Sequence, residues 1–120
     1  MVDEWLEEIK RSSDPSMLGM ILVHNGVVRG TSKDGEPVAR MNLSYDQAKL
    51  QSCVKRFKAR EGIVDIRVWI NEGLLRVGDD IMKILVAGRF RTDVLPVFEE
   101  LLSTVKRDIA REAEIDGPPR

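Results

Sequence analysis

The chain has 120 residues, is 42% hydrophobic, and carries 19 basic against 20 acidic side chains, for a formal net charge of -1. That size suits one domain with a single modest core, and the near-neutral balance gives no support for general nucleic-acid or anionic-membrane binding while leaving room for a local basic pocket. The one cysteine, Cys53, excludes an internal disulfide and suits a reducing compartment.

In chain order, Val2, Trp5, Leu6 and Ile9 recur at helical spacing and predict a short amphipathic helix over the first ten residues. Its acidic sequence is unlike a signal peptide, which needs a basic start and an apolar middle. Pro15 in SSDPS ends it. Residues 18–31 read as extended and contain the most apolar run of the chain, GMILVHNGVVRG. The longest uncharged apolar stretch, Met17 to Val28, is too short for a membrane span, so a cytoplasmic domain is expected, with no membrane and no nucleic-acid partner. Its Asn25-Gly26 pair is a strong short-range hairpin signal, but Asp34-Gly35 in KDGEP is a second turn signal just downstream.

Residues 38–45 alternate well enough for a partner strand. Asp46 is positioned to cap a helix over 46–61, with the stripe Leu50, Cys53, Val54 and Phe57 and with Gly62 as its C-terminal cap. Val64, Ile66, Val68 and Ile70 then alternate with polar neighbours, predicting a half-buried strand. EGLLRVGD reads as a connection with a short extended piece, and 80–90 as another apolar strand. Val94, Val97, Phe98, Leu101, Leu102, Val105 and Ile109 keep one stripe along a final helix over 93–113, capped by Thr92 or Asp93, with Pro96 in its first turn. From about residue 114 a loose tail is expected. The order α-β-β-α-β-β-α gives an α+β fold with helices packed on a mainly antiparallel sheet.

Generic chemical motifs are missing. No glycine loop of a phosphate-cradling type occurs. His24 is the only histidine, so a zinc site would need carboxylates or Cys53 at unconvincing spacings. Cys53 lies on an apolar helical stripe and reads as a small core residue, and nothing local supports a Ser/His/Asp triad. Arg29 ends the first apolar strand, and Arg89 and Arg91 bracket Phe90 where the last strand enters the final helix. A strand end beside a helix N-terminus suits an anion; the alternative is that these are solvated charges, or pair with Asp93 and Glu99. Lys106, one turn after Leu102, sits at the edge of the stripe. It either presents its ammonium at a pocket rim or simply snorkels.

Taken together, these segments resemble a family. Gly19, then six residues, then Gly26-Val27-Val28-Arg29 is similar to the first core strand of the large, catalytic subunit of molybdopterin synthase, the MoaE type. The run Gly73-Leu74-Leu75-Arg76-Val77-Gly78-Asp79 is similar to that family's GxLxxGD connection. Arg91 matches the arginine of its HR pair, and Lys106 falls on a lysine that the family uses in catalysis. The resemblance covers about residues 18–112. It implies an α/β-hammerhead-like fold over 1–120 and a homodimer. It also implies a small ubiquitin-like sulfur-carrier partner of the MoaD type, whose C-terminal Gly-Gly thiocarboxylate enters a pocket. The substrate would be cyclic pyranopterin monophosphate, converted to the dithiolene of molybdopterin.

On that resemblance Lys106 is the catalytic residue, and Arg29, Arg91 and Arg111 are substrate-binding. The sulfur arrives on the partner, so no cofactor and no metal are implied. The same pattern runs one strand through Gly26, which then marks a bulge or close backbone approach, and delivers Arg29 to the pocket. His24 reads as a strand residue with a local hydrogen bond. The chain departs from the family at Phe90, where the HR histidine is absent. It departs again at Ala113, where counting along the final helix places a second lysine, with Arg111 the nearest cation. Three readings stay open: a divergent sulfurtransferase, a non-catalytic dimeric relative that binds the carrier or a pterin as a binding or regulatory module, or an unrelated small α+β domain with scattered charges.

Overall fold

A computed structural model describes residues 1–117 of the chain. The first helix, α1 (Val2–Ser12), carries Asp3 and Glu4 in its first turn and Lys10 and Arg11 in its last, an order that suits the helix dipole. It buries Ile9 against Leu85 and Ala87, with Trp5, Leu6 and Ile21 around them. Arg67 ties it down by pairing with both Glu8 and Asp65.

Two three-stranded antiparallel sheets follow, ordered β1-β5-β3 and β4-β2-β6. The strands are β1 (Met20–Val27), β2 (Val38–Tyr45), β3 (Ile63–Ile70), β4 (Gly73–Arg76), β5 (Asp80–Gly88) and β6 (Ala110–Asp116). Helix α2 (Gln47–Lys58) joins β2 to β3, and α3 (Arg91–Thr104) follows β5. Strand β5 is central and covered on both faces, which is why 81–87 is almost wholly apolar. Leu85 and Ala87 face α1, while Met82, Ile84 and Val86 enter the main core with Phe57, Val94 and Leu101.

The chain does not reverse at Asn25-Gly26. Strand β1 runs straight through, and its register against β5 slips between Gly26 and Val27, the bulge expected there. Asn25 Nδ2 donates to Asp80 Oδ1 at 2.8 Å, so the amide serves the neighbouring strand. The turn lies at 32–36, where Gly35 N donates to the Ser32 carbonyl at 3.0 Å and Gly35 has φ of 83°.

Strand β2 is not the partner of β1. A single bridge, Thr31 to Pro37, joins their ends, and β2 instead lies between β4 and β6 in the other sheet. Asp46 caps α2 as its sequence position suggests, its side chain accepting from Lys49 N at 3.0 Å. The helix closes at Lys58, and Gly62 lies beyond it with φ of 80°.

The end of the chain differs most from expectation. Helix α3 starts at Arg91, with Phe90 as an N-cap that offers no side-chain bond, so Pro96 sits in the second turn on the exposed side. The α-helix then stops at Thr104 and widens into a π turn, Val105–Ile109. From Ala110 the chain is a strand and not a helix, and 114–116 are part of it and not a loose tail; residues 118–120 lie outside the described residues. AREAE has helix-forming composition, but pairing with the edge of β2 satisfies its backbone groups, so tertiary context overrides weak local propensity. Asp46 N donates to the Ile109 carbonyl at 3.1 Å and fixes the reversal. The α+β class with packed helices and antiparallel strands is as expected; β4 and β6 extend its element order.

Cys53 is 3% exposed within the main core, and burial pushes its thiol pKa up. A thiol reagent is expected to leave it unmodified in the native protein and to react once the chain is denatured. Rapid modification under native conditions would contradict its core placement.

Candidate functional site

The register of β1 against β5 separates the arginines. Met20 opposes Gly88 and Val27 opposes Asp80, so Arg91 lies beyond one end of this pair and Arg29 beyond the other. At about 3.4 Å per residue, the seven steps from Met20 to Val27 separate those ends by about 24 Å. Two arginine side chains cannot span that gap to hold one phosphate. Arg29 is exposed, and its Nε donates to the Thr31 carbonyl at 2.8 Å.

Arg91 is the exposed first residue of α3. The arginine that pairs there is Arg89, with Asp93 Oδ2 at 3.3 Å and Glu61 Oε1 at 3.7 Å. Its guanidinium also stacks 4.8 Å from the ring centroid of Phe90.

Lys106 lies in the π turn and is exposed. Phe98, Leu102 and Lys106 are four residues apart and follow one another along the helix toward the Arg29 end of β1. A π turn replaces the last α-turn at Lys106, and such local widening recurs at functional positions.

Arg111 is elsewhere. Directly opposed residues of an antiparallel pair share a face. Glu112 opposes buried Leu43 and therefore faces the core side, whereas Arg111 opposes Ser44 on the other face. There it lines a shallow cleft with Tyr45, Asp46, Lys49 and Asp108. Ala113 opposes Asn42, also on the face away from Glu112, because the strand breaks the helical count that carries a second lysine to this position.

What the structure adds beside Lys106 is His24. It opposes Ile84 on the core-facing side of β1, in step with Leu22 and Gly26. Its ring meets Phe98 edge-on, with centroids 6.5 Å apart and planes at 65°. Nε2 is buried and has no hydrogen-bond partner among the described residues, unlike the locally bonded histidine expected. Gly26 leaves the room it occupies: a Cβ there would lie 3.3 Å from Nε2.

Burial holds the His24 pKa below the ordinary histidine range. The nearby Lys106 ammonium lowers it further, and Glu112 opposes the shift. The period-two spacing of Met20, Leu22, His24 and Gly26 was enough to place His24 on the core face. Glu112 gave no such signal, because its face is decided by the strand pairing of 110–116.

Three comparisons bear on this arrangement. Residues 2–108 match the MoaE protein family. An uncharacterised protein of Methanocaldococcus jannaschii is 29% identical over 110 residues, covering 88% of each chain. Molybdopterin synthase from Staphylococcus aureus superposes with a TM-score of 0.75 at 18% identity, over 95% of this chain and 85% of that one. The complex of subunits 1 and 2 of the molybdopterin-converting factor from Helicobacter pylori 26695 gives 0.74 at 17%, over 96% and 75%. At those identities the two structures share the fold, while the match over 2–108 covers nearly the whole chain and settles descent: this chain belongs to the MoaE protein family.

Proposed function

We propose that this chain is the large subunit of a molybdopterin synthase acting in molybdenum cofactor biosynthesis. It would receive the C-terminal thiocarboxylate of a small sulfur-carrier protein and direct its sulfur to cyclic pyranopterin monophosphate. The carrying observation is Lys106, an exposed ammonium on a π turn near enough to the partly buried His24 to act on its charge. The reaction brings its own sulfur nucleophile, so the large subunit has to position two anions and stabilise charge as the carbon–sulfur bond to the carrier breaks. A lysine ammonium does the second, and arginines suit the phosphate. The Helicobacter pylori complex of two subunits supports a carrier-type partner.

The separation of Arg29 from Arg91 supports a homodimer. In a pair of chains, Arg91 of one copy would be free to approach the Arg29 end of the other, an approach that the strand register denies the two within one chain. Val23 and Val27, 38% and 51% exposed on edge strand β1, leave apolar surface for such a contact. The reading of Arg111 as substrate-binding comes from the family resemblance, and the cleft it shares with Lys49 supports it.

The deciding experiment mixes the purified chain with the carrier thiocarboxylate and the cyclic pterin precursor and looks for the dithiolene product. Product is expected. A stable complex with the carrier and no product would overturn the enzymatic reading in favour of a binding or regulatory module, the reading that Phe90 in the family's histidine position favours.

A further inference from the structure

His24 carries no role in the sulfur transfer outlined above, yet its surroundings are unusual. A buried ring nitrogen without a partner is costly, because it has given up water and received nothing. The ring is clamped between the edge of Phe98 and the bare backbone of Gly26. Two turns beyond Phe98, on the same line of the helix, stands Lys106. The charged groups that act on the imidazole are Lys106 from the π turn and Glu112 from β6. The elements packed against it otherwise offer Ile84 from β5 and Phe98 from α3, neither of them charged.

We propose that His24 is a positioning residue for Lys106: as a neutral imidazole against Phe98 it leaves the ammonium engaged, and as an imidazolium it drives the ammonium away and draws in Glu112. A cation formed on the half-buried ring repels the exposed ammonium of Lys106 and attracts the carboxylate of Glu112. Burial and Lys106 both favour the neutral ring, so the engaged arrangement is the one populated at neutral pH. The catalytic consequence rests on the proposed sulfur transfer; the positioning itself does not.

His24 is the only histidine in the chain, so in tag-free protein its imidazole resonance is unique. Titrated by NMR from about pH 8 to about pH 5, it is expected to move with a midpoint below about 6.5. The side-chain resonances of Lys106 are expected to follow the same curve. His24→Gln abolishes the Lys106 transition. His24→Phe, which keeps a ring against Phe98, does the same and guards against a packing defect in the first variant. Lys106→Ala raises the His24 midpoint and Glu112→Gln lowers it.

A Lys106 signal that stays flat through the His24 titration, or a midpoint unmoved by Lys106→Ala, overturns the proposal whether or not the chain makes dithiolene. In the sulfur-transfer assay the rate is expected to fall toward about tenfold per pH unit below that midpoint. That acid limb disappears in both His24 variants. A limb that persists unchanged in both overturns the positioning role and leaves the sulfur transfer standing. Absence of product at every pH overturns the sulfur transfer, and the resonances then decide the positioning alone.

Discussion

Replacing Lys106 by alanine is expected to lower dithiolene formation at least a hundredfold and to leave the fold intact. The side chain is exposed on the π turn, so its loss opens no cavity in the core. Its apolar neighbours in the turn, Val105 and Ile109, hold the backbone and stay in place. The cost falls on chemistry: removing one fixed donor aimed at developing negative charge costs about 2.7–4 kcal/mol, or two to three orders of magnitude in rate.

Arginine at this position keeps the charge but replaces a compact ammonium by a wide planar fork. Lys106→Arg is therefore expected to recover only part of the rate. Circular dichroism and carrier binding check that both variants are folded, and single-turnover formation of the product gives the rate. Turnover of Lys106→Ala within a few-fold of the parent would remove Lys106 from the catalytic role.

The largest expected effect on stability comes from a glycine. Gly62→Ala is expected to cost about 2–5 kcal/mol, combining about 1–2 for left-handed backbone with about 1–3 for overpacking. Gly62 has φ of 80°, and a Cβ there would come within 2.3 Å of the Asp93 carboxylate. Asp93 cannot easily give way, because it holds Arg89 at 3.3 Å. Nor can the backbone, since the Gly62 carbonyl accepts from Arg89 N at 2.8 Å.

Gly35 supplies the control. Its φ is 83°, but nothing lies within 4 Å of an added Cβ. Gly35→Ala should therefore lose only the backbone contribution, about 1–2 kcal/mol. Thermal unfolding of the two variants separates the terms. For a domain of this size the Gly62 variant should melt on the order of 10 °C lower, and the Gly35 variant by about half that or less. Equal shifts would show that Asp93 moves aside freely.

The contrast between these glycines also shows what could be read in advance. Turn chemistry is local, so Asp34-Gly35 and the Asp46 cap were legible from composition and position. Hydrophobic periodicity is local too, and it located the first helix, the half-buried strand β3, the apolar strand β5 and the stripe of α3. The passage of β1 through Asn25-Gly26 needed the resemblance as well, because that dipeptide taken alone signals a hairpin.

Sequence by itself therefore determined the α+β class, the order of most elements, the core role of Cys53 and the family. Tertiary structure decided the rest. Which edge β2 joins, and that AREAEID becomes its partner, depends on backbone hydrogen bonds between segments about seventy residues apart, for which propensity carries no information. The strand register places Arg29 and Arg91 at opposite ends of one pair. The helix line and the side of β6 that carries Glu112 determine that His24, which strand periodicity puts only on the core face, lies among Phe98, Lys106 and a carboxylate. The physical reason is the same throughout: a side chain's type is written locally, but its solvent, its neighbours and its charge state are set by elements distant in the chain.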